Sequence, residues 1–357
     1  MTERVLILAG GTGGHIYPAL AVAEILRARG IALAWLGSAR GLEQRIVPAH
    51  GIELLTIWVS GLRGRGWLGW LLAPLMLGVA TAQALRIIWR FRPGVVLGMG
   101  GFVSGPGGFA AWLLRRPLVI HEQNALAGLT NRCLSRLATR VLQAYPHSFA
   151  ERVAALVTGN PLRAAIAQMT ARPAPPRADT TLRVLVMGGS RGAHRLNQLL
   201  PEAFAAVAAG VVEVWHQTGE VDLVSTRAAY SRAGIAARID SYIEDMPGAY
   251  AWADVAICRA GAMTVAELAA AGLPAVLVPF PAAVDDHQTA NARYLAAAGA
   301  AVLLPEATLR AADLARRLDA WQRDRAGLLA MAERARALAR PEAAQAVAAH
   351  CLDLLHG

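Results

Sequence analysis

The chain opens with Val5-Leu6-Ile7-Leu8, then Gly10-Gly11-Thr12-Gly13-Gly14, then a stretch of helical pattern. A continuous apolar run bounded by glycines predicts a strand buried on both faces. The same order returns 179 residues later. The segment from Arg4 to His15 is echoed by Arg183-Val-Leu-Val-Met-Gly-Gly-Ser-Arg-Gly-Ala-His194. Each copy is an apolar run, a glycine turn and a helical pattern, the opening of a doubly wound domain. Two such openings half a chain apart predict two similar domains rather than one long sheet.

Further short apolar runs continue the pattern. Residues 32–36, 95–97, 118–120 and 140–143 read as buried strands in the first half, and 213–217, 255–257, 275–278 and 301–304 in the second. Helical stretches separate them, so the sheets are expected to be parallel. The fold class predicted is α/β, with two doubly wound Rossmann-like domains. The proline-rich segment Arg172–Asp179 reads as a linker. From Leu309 onward the pattern is helical and amphipathic, and the tail after Pro341 is a candidate to pack back on the first domain. The expected domains are residues 1–163, with a tail of about 341–357, and 164–340, which suits a 357-residue chain.

One stretch departs from the alternation. Trp67 to Leu85 is 19 residues without a charge. Its length suits a membrane span. However, it holds Pro74, two glycines, Thr81 and Gln83, and it lies within a repeating βαβ pattern. Arg63 and Arg65 precede it; Arg86, Arg90 and Arg92 follow. Tryptophan and leucine beside arginine favour a segment lying in the membrane interface, with a buried helix as the alternative.

Charge sharpens that reading. The net charge is +10, with 35 arginines and no lysine. Lysine-based phosphate loops, Schiff bases and general bases are thereby excluded. Up to Leu162 there are 16 arginines against 6 acids; beyond it, 19 against 19. A basic half beside a neutral half points to an anionic partner such as nucleic acid, phospholipid or a phosphorylated substrate, against a merely solvated surface. At 55% hydrophobic and 17% charged, the chain is not disordered. Its three cysteines, Cys133, Cys258 and Cys351, are too scattered for a disulfide framework or a metal motif, which fits a reducing compartment. The first apolar run is too short for a signal peptide.

Three glycine clusters follow strands: Gly10–Gly14, Gly98-Met-Gly-Gly-Phe-Val-Ser-Gly-Pro-Gly-Gly108 and Gly188-Gly189-Ser190. Glycines allow close backbone approach, and a helix N-terminus offers N–H donors with partial positive charge, so phosphate is the expected guest. The dinucleotide spacing fails, and Leu36-Gly37-Ser38 lacks the acid that would hold an adenosine ribose, which disfavours nicotinamide chemistry. His121-Glu122-Gln123-Asn124 follows a strand as either a site cluster or a turn. In Arg259-Ala-Gly-Ala-Met-Thr-Val-Ala-Glu267, the acid is placed to accept from ribose hydroxyls or to favour a helix start. Asp285-Asp286-His287-Gln288 resembles a metal cluster, but adjacent residues rarely face one metal.

Together with Gly159-Asn-Pro-Leu-Arg163 and Asn291, these motifs closely resemble the MurG family, membrane-associated N-acetylglucosaminyltransferases of peptidoglycan synthesis, over essentially the whole chain. The resemblance implies a GT-B architecture of two Rossmann-like domains facing across a cleft. It implies that the second half holds UDP-N-acetylglucosamine. Ile243 would meet the uracil, and Ser190 with Ala262, Met263, Thr264, Val265 and Ala266 the diphosphate side. Glu267 would hold the ribose, and Gln288 the sugar. Thr12, Gly13, Gly14, Asn124 and Arg163 would contact the donor from the first half. That half would also bind the undecaprenyl-diphosphate-linked acceptor, lipid I, beside an anionic membrane surface. The reaction implied is inverting transfer to the acceptor 4-hydroxyl, forming lipid II, with no metal, cofactor or nucleic acid. His15 is the candidate general base, with a structural role as its rival. The implied location is peripheral, on the cytoplasmic face of the bacterial inner membrane, with cell-wall and division-machinery proteins as candidate partners. The alternatives are a nucleotide-sugar epimerase on the same fold and a non-catalytic glycolipid-binding protein.

Overall fold

The structure is a computed structural model that describes residues 3–59, 67–169, 181–188, 193–207 and 210–357. The proposed linker Arg172–Asp179 and the site candidate Ser190 lie outside the described residues. The chain divides into two compact units, Met1–Ala164 with Arg340–Gly357, and Ala165–Ala339.

Unit 1 alternates strands and helices in chain order: β1 (Arg4–Leu8), α1 (Gly13–Ala28), β2 (Ala32–Ser38), α2 (Glu43–Ala49), β3 (Glu53–Ile57), α3 (Trp67–Phe91), β4 (Val95–Gly98), α4 (Ser104–Leu113), β5 (Leu118–Glu122), α5 (Leu129–Leu134), β6 (Arg140–Gln143) and β7 (Leu156–Val157). The seven strands form one parallel sheet in the order β3-β2-β1-β4-β5-β6-β7. Val5, Leu6, Ile7 and Leu8 are wholly buried, as a central strand covered on both faces requires. Val5 and Ile7 share one core with Ile16 and Leu20 of α1; Leu6 and Leu8 share the other with Leu36, Ala80 and Ile88.

The uncharged stretch forms the first part of α3, a 25-residue helix that continues past Leu85 through Arg86 and Arg90. By length and composition its Leu72–Phe91 segment could cross a bilayer. Ala80, Ala84 and Ile88, spaced four apart, are buried against the sheet. Leu72, Leu75, Leu77 and Val79 are exposed. The last helix of the chain, α14 (Ala343–His356), belongs to unit 1: its Val347, Ala348 and Cys351 enter the core containing Val5 and Ile7. Burial pushes the Cys351 thiol up to about 12, so it acts as a small apolar side chain.

Unit 2 begins with the short helix α6 (Ala164–Ala167), which straddles the boundary. It continues with β8 (Leu182–Met187), α7 (His194–Ala205), β9 (Val212–Gln217), α8 (Leu223–Arg232), β10 (Ala237–Asp240), α9 (Met246–Trp252), β11 (Val255–Cys258), α10 (Ala262–Ala271), β12 (Ala275–Leu277), α11 (His287–Ala297), β13 (Ala301–Leu303), α12 (Ala311–Arg323) and α13 (Arg325–Ala337). Its parallel sheet runs β10-β9-β8-β11-β12-β13. In each sheet the order reverses beside the first strand, between β1 and β4 and between β8 and β11. Ligands of open α/β sheets bind outside the strand C-termini at such a reversal.

Candidate functional site

In unit 1 the reversal brings together the loops that leave β1 and β4. The first ends in Thr12, the N-cap of α1, whose side chain makes no capping bond. The Thr12 carbonyl accepts from His15 and Ile16 N–H. Helix geometry leaves the Gly13 and Gly14 N–H groups without intrahelical acceptors, the arrangement that suits an anion. Gly11 is different, because its N–H donates to Glu43 Oε2 at 3.1 Å. Glu43 is wholly buried, and its Oε1 accepts from the Ser38 N–H (2.8 Å) and hydroxyl (2.6 Å). This carboxylate ties the loops after β1 and β2 together and takes one amide out of the phosphate-binding set.

The second loop packs directly on the first. Gly101 has φ +84°, and a Cβ there would lie 2.2 Å from the Gly10 carbonyl oxygen. Gly100 has φ +95°, and its Cβ would lie 2.6 Å from His15 Nδ1. Both positions therefore need glycine for backbone conformation and for close approach. Ser104, wholly buried at the start of α4, accepts from Gly100 N–H at 3.1 Å. His15 sits half-buried against this loop, with Nδ1 3.1 Å from Gln123 Oε1.

His121 and Glu122, expected to follow the strand, are the last residues of β5, and Gln123 and Asn124 leave it. Glu122 is 3% exposed. Its Oε1 accepts from the Asn124 N–H (2.9 Å) and side-chain amide (3.2 Å), its Oε2 from Gly128 N–H and Asn131 Nδ2. Glu122 thus acts on the loop that presents Asn124. Arg163 lies over the Tyr17 ring, 5.7 Å from its centroid, which ties it to α1.

In unit 2 a pocket lies at the C-terminal ends of the central strands. Met187 ends β8 and Gln217 ends β9; Ile243, Tyr250, Arg259, Thr264 and Glu267 complete the wall with Tyr242 and Met246. Ile243, Thr264 and Glu267 were sequence candidates, and the fold brings them together. Glu267 Oε2 accepts from the Tyr250 hydroxyl at 2.7 Å, which orients the carboxylate. Gly261 caps α10 without a side-chain bond, so Ala262, Met263 and Thr264 form its first turn, with Val265 and Ala266 following. Arg259 pairs with Glu306 and donates to the Val278 and Pro279 carbonyls, which fixes its cation in the wall.

Gln288 is the second residue of α11, which His287 opens after two left-handed residues, Asp285 (φ 51°) and Asp286 (φ 53°). Its Oε1 accepts from Phe280 N–H (2.9 Å) and Ala260 N–H (3.3 Å), so the amide nitrogen is its donor end. Among the described residues no group of three His, Cys, Asp or Glu side chains is placed to hold a metal ion. The sequence reading missed Glu43, Met187, Gln217, Tyr242, Met246 and Tyr250. The strand-end positions of Met187 and Gln217 were the available signal; nothing local marks Glu43 or Tyr250.

Comparison with known proteins bears on the whole chain. Residues 5–143 match the glycosyltransferase family 28 N-terminal domain and residues 183–347 its C-terminal domain. The UDP-N-acetylglucosamine--N-acetylmuramyl-(pentapeptide) pyrophosphoryl-undecaprenol N-acetylglucosamine transferase of Alkalilimnicola ehrlichii is 55% identical over 360 residues, covering 99% of both chains. That of Nitrosococcus oceani is 52% identical over 359 residues, covering 100% of both. Acinetobacter baumannii MurG superposes with a TM-score of 0.83 at 39% identity, covering 98% of this chain and 99% of that one. A UDP-GlcNAc 2-epimerase from Neisseria meningitidis, at 13% identity and a TM-score of 0.69, shares the fold alone. The chain is a GT-B glycosyltransferase and belongs to glycosyltransferase family 28, within its MurG group of N-acetylglucosaminyltransferases.

Proposed function

We propose that this chain moves N-acetylglucosamine from UDP-N-acetylglucosamine to the 4-hydroxyl of lipid I, giving lipid II by a single inverting displacement. The observation that carries this is identity of 52–55% over 99–100% of the chain with enzymes named for that transfer. The unit 2 pocket is the proposed donor site. Ile243 meets the base, Glu267 accepts from the ribose hydroxyls, and Gln288 donates to the sugar. Ser190 and residues Ala262, Met263, Thr264, Val265 and Ala266 carry the diphosphate. The α10 N-terminus offsets the negative charge that grows on UDP as it leaves.

Unit 1 is the proposed acceptor unit, with the acceptor diphosphate on its glycine loops. Thr12, Gly13, Gly14, Asn124 and Arg163 are proposed as further donor contacts. His15 is the proposed general base: its imidazole takes the proton of the attacking hydroxyl as the oxygen bonds to the anomeric carbon and UDP departs. An acceptor carried on an undecaprenyl chain resides in a bilayer, and the proposed location is peripheral, on the cytoplasmic face of the inner membrane. Exposed Leu72, Leu75 and Leu77 of α3, exposed Phe109 and Trp112 of the neighbouring α4, and Arg86, Arg90 and Arg115 support that surface.

The test is UDP release from UDP-N-acetylglucosamine with and without a lipid I analogue. Acceptor-dependent release is expected, and a fall of roughly 10²-fold or more in His15→Ala. Absence of release with a competent acceptor overturns the transferase assignment. Release without acceptor points instead to hydrolysis or epimerisation.

A further inference from the structure

A neutral imidazole can take a proton only at the ring nitrogen that carries no hydrogen. A base at position 15 therefore needs one particular tautomer, and His15 lies at the end of a buried hydrogen-bond chain with a defined polarity. His121 is wholly buried, and its Nε2 lies 2.9 Å from the Gly159 carbonyl oxygen. A carbonyl only accepts, so that Nε2 carries a hydrogen. Burial pulls the His121 pKa down to about 4, so at neutral pH the ring holds that one hydrogen and Nδ1 is an acceptor.

Gln123, 1% exposed, has its amide nitrogen 3.1 Å from His121 Nδ1. The acceptor there requires the NH₂ end of the amide, which fixes Oε1 on the opposite side. Oε1 faces His15 Nδ1 at 3.1 Å and can only accept from it. The hydrogen of neutral His15 therefore resides on Nδ1, and the lone pair on Nε2. The ring is also confined from a second side, because Gly100 leaves room for it only by lacking a Cβ.

We propose that Gln123, oriented by His121 and the Gly159 carbonyl, is a positioning residue that holds His15 in the Nδ1–H tautomer and so leaves Nε2 ready to accept a proton. The assignment rests on the reading of His15 as general base for its consequence in catalysis, but not for the tautomer itself. Glutamine does here what a carboxylate would do, without adding an anion beside the amides offered to a diphosphate. An anion at that point would oppose substrate charge.

Two readouts test this on the full-length protein. The first is ¹⁵N NMR of the histidine rings at pH 8, with His15 identified by the signal missing in His15→Ala. A pyrrole-type Nδ1 and a pyridine-type Nε2 are expected in the wild type. Gln123→Met, similar in length but unable to hydrogen bond as an amide, is expected to populate the other tautomer. An Nε2–H ring in the wild type, or an unchanged tautomer in Gln123→Met, overturns the proposal.

The second readout is kinetic. Gln123→Met is expected to lower kcat about tenfold or more while KM for UDP-N-acetylglucosamine stays within twofold. Gln123→Glu, which still accepts from Nδ1–H, is expected to keep more activity than Gln123→Met and to move the acidic limb of the pH–kcat profile upward. A rise in KM with constant kcat, or an unmoved limb in Gln123→Glu, also overturns it. If the tautomer shifts as expected but His15→Ala keeps its kcat, the base assignment fails and the positioning of the ring stands.

Discussion

In unit 1 the loops after β1 and β4 are in direct contact, Gly101 against Gly10, and a buried carboxylate, Glu43, ties the first of them to the loop after β2. In unit 2 the strand ends at the same topological place surround an open pocket walled by Tyr250, Arg259 and Glu267. Both sheets share the central order in which the chain reverses beside its first strand. What differs is what fills the reversal. Backbone packed on backbone leaves amides and one imidazole as the presented chemistry, which suits diphosphate and proton transfer. Side chains set around a pocket present an acid and an amide, which suits a nucleoside sugar. The same topology therefore carries two kinds of recognition because its loops differ, and the sheet contributes only their placement.

The units are alike in one respect that can be tested by acid. Each buries one neutral histidine. His121 in unit 1 is held down to about 4 and His216 in unit 2 to about 3, in both cases by loss of solvation. His216 lies 2.9 Å from both the Tyr230 hydroxyl and Asn197 Oδ1, so its neutral form is fully partnered. Below the unfolded value near 6.5 the unfolded chain gains protons that the folded chain refuses. Stability is therefore full above pH 6.5 and falls as the pH drops toward 4 and 3. Between pH 8 and pH 5 each histidine is expected to remove about 2 kcal/mol. Hydrogen exchange of the β4 and β8 amides at the two pH values measures this unit by unit. Loss of protection in only one unit breaks the parallel; loss in both confirms it.

A smaller effect separates the two units. Glu267→Gln removes the charge from the acceptor that Tyr250 orients, and a charge-assisted hydrogen bond is worth about 1.5–3 kcal/mol. KM for UDP-N-acetylglucosamine is expected to rise roughly tenfold or more, with less effect in Tyr250→Phe, which keeps the carboxylate. Steady-state kinetics with each substrate varied while the other is saturating gives the answer. An unchanged donor KM in both variants removes this pocket from donor binding. A raised acceptor KM would move it to the other substrate.

Central strands were legible in the sequence because they are covered on both faces and read as unbroken apolar runs, as in Val5–Leu8 and Val184–Val186. Of the four edge strands, the apolar β13 was read and β3, β7 and β10 were not. β10 carries Arg238 and Asp240, β3 begins at Glu53, and the two residues of β7 are exposed. A strand that buries one face or none has no reason to be apolar throughout. The reach of α3 beyond Leu85 was missed for a related reason, since Arg86 and Arg90 end an uncharged run without ending a helix. At the sites, glycines announced themselves because no other residue tolerates φ near +90° beside another backbone. Pairings did not. Gln123 reaches His15 across 108 residues and Glu43 reaches Gly11 across 32, and sheet order alone brings them together.

The smallest expected effect bears on the outer face of unit 1. Leu75 is 67% exposed on α3, while Ala80, Ala84 and Ile88 attach the same helix to the sheet. An apolar side chain that is exposed here contributes nothing to the core, so Leu75→Ser should leave the fold and the donor KM intact. If α3 lies in a bilayer interface, removing one partly inserted leucine costs about 1 kcal/mol, or roughly fivefold in affinity for vesicles containing anionic phospholipid. The nearby arginines predict weaker binding to neutral vesicles for wild type and variant alike. Acceptor KM should then rise by the same factor when the acceptor is embedded in vesicles, and not at all with a short-chain acceptor in solution. Equal vesicle binding by Leu75→Ser and wild type would mean that this face of α3 does not meet the membrane. The charge of the basic half would then be left to substrate phosphates or to a solvated surface.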